Sequence, residues 1–193
     1  MARAKEFDED TALLKAMKLF WAQGYEKTSM QDLVEHMGVH KRSLYDTFGD
    51  KHSLYLKTLN RYRELIEKRI TALSGGARSA KDAIRAMFEM VIQPEEGTPM
   101  GCLMVNTAVE LALFDAESKA FVAKGWDHSE ELIRRLILEG QRSGELDPSL
   151  NAEELSAYFN NALAGLRVLV KTVDDKEKLG RIIDTTMSVL KLK

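Results

Sequence analysis

A cluster of cationic and hydrogen-bonding side chains lies between residues 40 and 47, and its chemistry suits the reading of base edges. Arg42 can donate two parallel hydrogen bonds to a guanine, and Ser43 and Thr47 can each donate or accept one. The other members of the cluster are His40 and Lys41. Such groups at the start of a short helix are typical of a recognition helix in the major groove of DNA. A solvated, charged helix surface accounts for the spacing equally well.

The single cysteine, Cys102, is the second group with distinctive chemistry. It stands at the start of a predicted helix, where the partial positive charge of the helix end stabilises a thiolate. Two interpretations stay open: a small buried hydrophobic residue, or a sensor of oxidants and electrophiles. Because no second cysteine is present, sensing requires an adduct or a bridge between two chains.

Catalytic and metal-binding patterns are weak in this chain. His36 and His40 have a spacing that two metal ligands could use, but Gly38 lies between them at a helix end, so we predict no metal site. The sequence contains no H-E-x-x-H, no glycine-rich phosphate loop and no nucleophile elbow. We therefore expect a protein that is not an enzyme and has no cofactor. An all-α interaction module without DNA affinity remains a third class.

Apolar residues at helical spacing indicate the helices that position these groups. A capping box at Ser29 and Asp32 starts a helix that ends at Gly38, and a short helix follows over residues 41–48. We predict an all-α fold: a three-helix helix-turn-helix head, residues 1–52, and a larger helical body, residues 53–193. A long helix over 51–73 joins them, and further helices are predicted over 79–92, 101–114, 117–143, 152–172 and 175–191.

Composition limits the partners and the compartment. The chain has 193 residues, 45% hydrophobic and 30% charged, with a formal net charge of −2, so any contact with DNA must come from a local patch. Residues 1–10 lack the apolar segment of a secretory signal. The longest uncharged run, 97–109, is too short and too polar to cross a membrane. Together with the single cysteine, this predicts a cytoplasmic protein without a membrane partner.

A resemblance to a known family rests on residues 27–51, KTSMQDLVEHMGVHKRSLYDTFGDK. This stretch resembles the signature of TetR-family transcriptional regulators, and the likeness extends over about residues 7–60. The stretch MGCLMVNTAVEL, residues 100–111, is similar to the pocket-side helix of one subgroup. The signature positions are Gly24, Tyr25, Thr28, Ser29, Gly38, Val39, Leu44, Tyr45, Phe48 and Lys51.

The resemblance implies a double-stranded DNA operator as the partner. Thr28, Tyr45 and Lys51 are the expected phosphate contacts. The expected base readers are Lys41, Arg42 and Ser43, with His40 at the edge and Thr47 on the same outer face. Three positions depart from the usual pattern, namely His40, Arg42 and Asp46, and we expect Asp46 to be a spacer. Arg3 and Lys5 either form a minor-groove arm or are simply solvated.

For the body, the resemblance implies a homodimer through the last two helices and a mostly apolar cavity for a small-molecule effector. The expected activity is that of a repressor, released from a palindromic operator by this effector. Some members of the family instead respond to oxidants or electrophiles through a cysteine, so Cys102 provides the alternative. The expected effector-binding residues are Met87, Met90, Cys102, Asn106, Glu110, Trp126, Asn160 and Arg167.

Overall fold

The computed structural model describes residues 7–190, apart from the side chain of Ser74, and this part of the chain contains nine α-helices and no strand. The head consists of α1 (Glu9–Gln23), α2 (Met30–Met37) and α3 (Lys41–Phe48). The long helix α4 (Lys51–Gly76) leaves the head and enters the body. The body contains α5 (Ala80–Ile92), α6 (Leu103–Glu110), α7 (Ala116–Ser143), α8 (Ala152–Leu169) and α9 (Lys176–Met187). The predicted all-α fold with a helical head and body is confirmed.

Local capping signals determine where the head helices begin and end. The Asp32 amide donates to Ser29 Oγ at 3.1 Å, and the Ser29 amide donates to Asp32 Oδ2 at 2.8 Å. This is the predicted capping box, and it starts α2. Gly38 ends the helix with φ of 72°, a left-handed conformation that glycine adopts without strain.

The hydrophobic core of the head continues into the body. Phe20, Leu33 and Leu44 are fully buried in the same cluster as Tyr55 of α4 and Leu103 of α6. The rings of Phe20 and Tyr55 meet edge to face with centroids 4.9 Å apart. Because α6 packs into this cluster, the head rests on two body helices. The boundary at residue 52 stays a prediction, since packing is continuous across it.

A second core holds α5, α7, α8 and α9 together. Its members include Phe88, Ile133, Phe159 and Ile183, each at most 1% exposed. Several apolar residues in or next to the last two helices, through which the resemblance implies dimerisation, are buried in this core of their own chain: Phe159, Leu166, Leu179, Ile183 and Leu190. Apolar periodicity alone does not assign these residues to a core or to an interface, because a helix between two layers is apolar on more than one side.

The helix around residue 105 is shorter than the predicted 101–114. It begins after Cys102, whose backbone is extended, and ends at Glu110. Asp115 then starts α7 by accepting hydrogen bonds from the Glu117 and Ser118 amides, so the intervening residues form a turn. The side chain of Phe114 in that turn is 86% exposed rather than packed in the core. Among the described residues, no helix is long and apolar enough to span a membrane.

Candidate nucleic-acid interface and ligand cavity

The side chains of helix α3 differ in how far they are buried. Leu44 and Phe48 are buried against the head, as their spacing of four residues predicts. His40, Lys41 and Arg42 are exposed, and Tyr45 is 43% exposed. Ser43 and Thr47 are half-buried on the same helix. The structure therefore places the predicted base readers together at the start of α3.

Arg42 has a competing partner on its own helix. Its Nε lies 3.7 Å from Asp46 Oδ2, and both side chains are largely exposed. Exposed pairs of this kind are weak, so Asp46 does not hold the Arg42 guanidinium firmly. Asp46, the expected spacer, is thus the ion-pair partner of an expected base reader. His40 is the N-cap of α3 but makes no capping hydrogen bond with its ring.

The three predicted phosphate contacts lie in different environments. Thr28 is fully buried, and its hydroxyl donates to the Gly24 carbonyl at 2.6 Å, so its side chain does not reach the surface. We therefore leave Thr28 out of the proposed interface. Lys51 stands at the start of α4 with Nζ 4.2 Å from the centroid of the Tyr25 ring. Tyr45 keeps an exposed hydroxyl-bearing ring on α3. Arg3 and Lys5 lie outside the described residues.

Two expected effector ligands instead connect the body to the head. The carboxylate of Glu110 accepts hydrogen bonds from the Tyr25 amide at 2.9 Å and the Glu26 amide at 2.8 Å. Asn106 donates from Nδ2 to the Trp21 carbonyl at 3.1 Å. We call Glu110, Asn106 and the head residues they bind the head–body clamp. Both side chains lie outside the cavity described below, so we do not propose them as ligands.

Further contacts reinforce this junction. Lys171 Nζ donates to Asn106 Oδ1 at 2.8 Å, which links α6 to the turn that follows α8. His52 Nε2 lies 2.5 Å from Asp115 Oδ2. Burial acts to raise the pKa of Asp115, but hydrogen bonds from His52, Ser118 and nearby amides hold it below its ordinary value. The start of α4 is thereby fixed to the start of α7.

A cavity of about 630 Å³ opens between α4, α6, α7 and α8. This volume is within the range of small-molecule sites. Three of the expected effector residues line it, namely Cys102, Trp126 and Arg167. Met87 is instead buried in the body core, and Met90 lines a separate cavity of about 30 Å³. Asn160 lies behind the wall, where its Nδ2 donates to the Trp126 carbonyl at 3.4 Å.

The lining combines apolar side chains with a few polar groups. The Tyr62 hydroxyl donates to Cys102 Sγ at 3.2 Å, and Cys102 is only 2% exposed. Burial raises the pKa of Tyr62 well above its ordinary value, so its hydroxyl stays protonated. Ser129 Oγ is buried without a hydrogen-bond partner. Sequence periodicity missed Tyr62 and Ser129, because both lie on long helices whose inner faces cannot be assigned without knowing their neighbours.

Comparisons with known proteins agree with this architecture. The family of bacterial regulatory proteins, tetR family, matches residues 12–58, and the tetracyclin repressor-like C-terminal domain matches residues 80–186. The uncharacterised HTH-type transcriptional regulator YezE of Bacillus subtilis is 31% identical over 98% of this chain and 100% of its own length. The HTH-type transcriptional repressor ComR of Escherichia coli is also 31% identical, over 96% of this chain and 90% of its own.

Solved structures give the same result. A cysteine-substituted variant of the TetR family transcriptional regulator CifR, complexed with 26-base-pair double-strand operator DNA, superposes with a TM-score of 0.85. It is 29% identical, and the match covers 98% of this chain and 100% of that one. These relatives are named as transcriptional regulators and not as enzymes. Both family matches, the whole-length relatives and the exposed polar start of α3 show that the chain belongs to the TetR family of DNA-binding transcriptional regulators.

Proposed function

We propose that this chain is a homodimeric repressor that binds a palindromic operator and is released from it by a small molecule in the α4–α8 cavity. The observation that carries the proposal is the position of α6. Its first turn lines the cavity through Met104, and its last residue, Glu110, holds the head through two backbone amides. A ligand that displaces α6 or α4 therefore acts on the head directly.

The DNA-binding part of the proposal rests on α3. Lys41, Arg42 and Ser43 are the proposed base readers, with His40 and Thr47 beside them and Tyr45 and Lys51 on phosphates. The repressor assignment is supported by ComR, which is named a repressor, and operator binding by CifR, which was solved on operator DNA.

Dimerisation is supported by the outer surface of α8. Tyr158 is 43% exposed and Val168 is 51% exposed, which is high for large apolar residues on a helix. Between them, Gly165 has open space where a side chain would project. A small residue flanked by exposed apolar ones allows two copies of α8 to approach closely. Two-fold symmetry then presents two α3 helices to two operator half-sites.

The proposal is tested by a gel-shift titration of the purified protein against the DNA upstream of its own coding region. We expect a salt-sensitive complex containing two chains per operator, protected over two half-sites about 10 base pairs apart or a multiple of that spacing. Binding by one chain alone, or equal binding to unrelated DNA at physiological salt, would contradict it. A sensor function of Cys102 is not part of the proposal, because the thiol is buried and accepts a hydrogen bond from Tyr62.

A further inference from the structure

Each charged side chain that lines the cavity has a group of opposite or potentially opposite charge within 4 Å, except for one. Glu67 Oε1 lies 3.7 Å from Arg63 Nε and 3.9 Å from His128 Nε2. Arg135 is 60% exposed, and its Nε lies 3.9 Å from Oε1 of Glu131, a carboxylate that also accepts two hydrogen bonds from Arg134. Arg167 also lines the cavity, yet within residues 7–190 no carboxylate lies in ion-pair range of its guanidinium.

Arg167 lies close to Tyr62 in the cavity lining. It is half-buried, whereas Tyr62 and its partner Cys102 are buried. Its positive charge is near enough to the Tyr62 hydroxyl to oppose the effect of burial on the pKa of that group. A partly desolvated guanidinium is stabilised most by an anion, and a carboxylate can accept two parallel hydrogen bonds from it.

The rest of the lining suits an apolar ligand body. Ile66 and Ile70 of α4, Met104 of α6 and Leu132 of α7 face the cavity. Methionine side chains adapt to irregular shapes, so this wall can accommodate a chain or a ring. The lining includes one carboxylate, Glu67, among the described residues, and that group already faces two potential cations. A cationic ligand would therefore have no carboxylate in this lining that is not already near a cationic group. An anionic ligand could pair with Arg167.

We infer that the cavity takes an apolar carboxylate, with its acid group paired to Arg167 and its apolar body along α4, α6 and α7. This inference rests on the proposed function, because it names the chemical class of the ligand that acts at the same cavity. The carboxylate of the ligand, rather than its size or hydrophobicity alone, distinguishes it from other molecules that fit the cavity volume.

The experiment compares three probes of equal chain length by isothermal titration calorimetry on the full chain without DNA. They are decanoate, decanol and decyltrimethylammonium, each below its micelle-forming concentration. We expect decanoate to bind roughly tenfold more tightly than decanol, which corresponds to about 1.4 kcal/mol. The cationic probe should bind most weakly, because Arg167 repels it.

Variants of the cavity lining test whether the preference for decanoate over decanol depends on Arg167. In Arg167→Gln, decanoate should bind only as tightly as decanol, and decanol should bind as it does to the native chain. Arg135→Gln is the matched control, because Arg135 lines the same cavity but is 60% exposed to solvent, and it should keep the full preference. Arg167→Lys should keep a reduced preference, since it retains the charge but not the planar fork. Thermal unfolding of each variant checks that the fold is intact.

Several results would overturn the inference. These are equal affinity of the native chain for decanoate and decanol, tightest binding of the cation, no binding of any probe, or an unchanged preference in Arg167→Gln. The proposed function is tested separately by adding decanoate to the operator complex. If decanoate binds through Arg167 but the DNA stays bound, the ligand class stands and the release function fails. If another probe releases the DNA, the release function stands and the ligand class fails.

Discussion

At the residue scale, Arg42 and Lys51 carry the same charge but are expected to meet DNA differently. Arg42→Ala should relax the preference at one base pair in each half-site, at a cost of roughly 1–3 kcal/mol, because the bidentate contact to guanine is lost. The measurement is affinity for the operator and for a set of single-base variants of it. Unchanged preference at every position would show that Arg42 does not read a base.

Lys51→Ala is the matched control for that experiment. Loss of a phosphate contact should weaken binding to all sequences about equally and reduce the salt slope by about one. Lys51 also covers the Tyr25 ring, so its removal should leave the base preferences intact while slightly loosening the start of α4.

The residues of α3 could be predicted from sequence because their neighbours along the chain determine their burial. Leu44 and Phe48 are four apart on one helix face, so the outward position of the polar residues followed directly. Thr28 shows the opposite case. Its hydroxyl donates to the Gly24 carbonyl four residues earlier, and this turn outside a helix is not specified by apolar periodicity.

At the element scale, α6 joins the cavity to the head, and Glu110 is its point of attachment. Glu110→Gln should weaken the hydrogen bonds to the Tyr25 and Glu26 amides, because an amide group offers one acceptor oxygen instead of two. Loss of about 1 kcal/mol corresponds to roughly fivefold faster exchange of these amide hydrogens, if they exchange by local opening. Native-state hydrogen exchange measures this directly.

The hydrogen-exchange measurement includes an internal control at the Asp32 amide. The Asp32 amide is held by Ser29 Oγ inside the capping box, and it should exchange at an unchanged rate in Glu110→Gln. Glu64→Gln removes a carboxylate that is 54% exposed on α4, and it should leave the Tyr25 and Glu26 amides protected. Exchange at Tyr25 that is no faster in Glu110→Gln than in Glu64→Gln would show that the clamp contributes nothing.

The capping box and the head–body clamp also show which contacts could be predicted from the sequence. The capping box joins residues three apart, so its two side chains could be identified in the sequence. The clamp joins Tyr25 to Glu110 across 85 residues, and nothing in the local pattern distinguishes Glu110 from a polar ligand in a cavity. Only the packing of α6 against the head makes that distinction.

At the scale of the whole molecule, the outer face of α8 should hold two chains together. Gly165→Arg should give monomers, because the new side chain has open space in one chain but would place a charge between two closely packed helices. The fold of the monomer should be kept or slightly stabilised, since arginine favours a helix more than glycine does. Size-exclusion chromatography with light scattering gives the mass.

Gly76→Arg is the control for this change. Gly76 ends α4 and also has nothing within 4 Å of the added Cβ, but it lies outside the proposed interface. This variant should remain a dimer. A native chain that is a monodisperse monomer, or a Gly165→Arg variant that stays dimeric, would remove α8 from the interface.

Apolar periodicity and breakers predicted approximate positions for the helices, whereas they did not predict which apolar residues are buried and which are exposed. Leu166 and Val168 are both apolar residues of α8, yet Leu166 is 3% exposed and Val168 is 51% exposed. Periodicity identifies apolar faces but does not specify which neighbouring helix covers each one.

The conformation of Gly24 has an evolutionary consequence. Its φ of 90° disfavours any other residue, and an added Cβ would lie 2.9 Å from Glu110 Oε2. A change at position 24 therefore also disturbs position 110, although 86 positions separate them in the chain. Homologous sequences should consequently vary at these two sites together: lineages that lose the glycine should carry a shorter side chain in place of the glutamate.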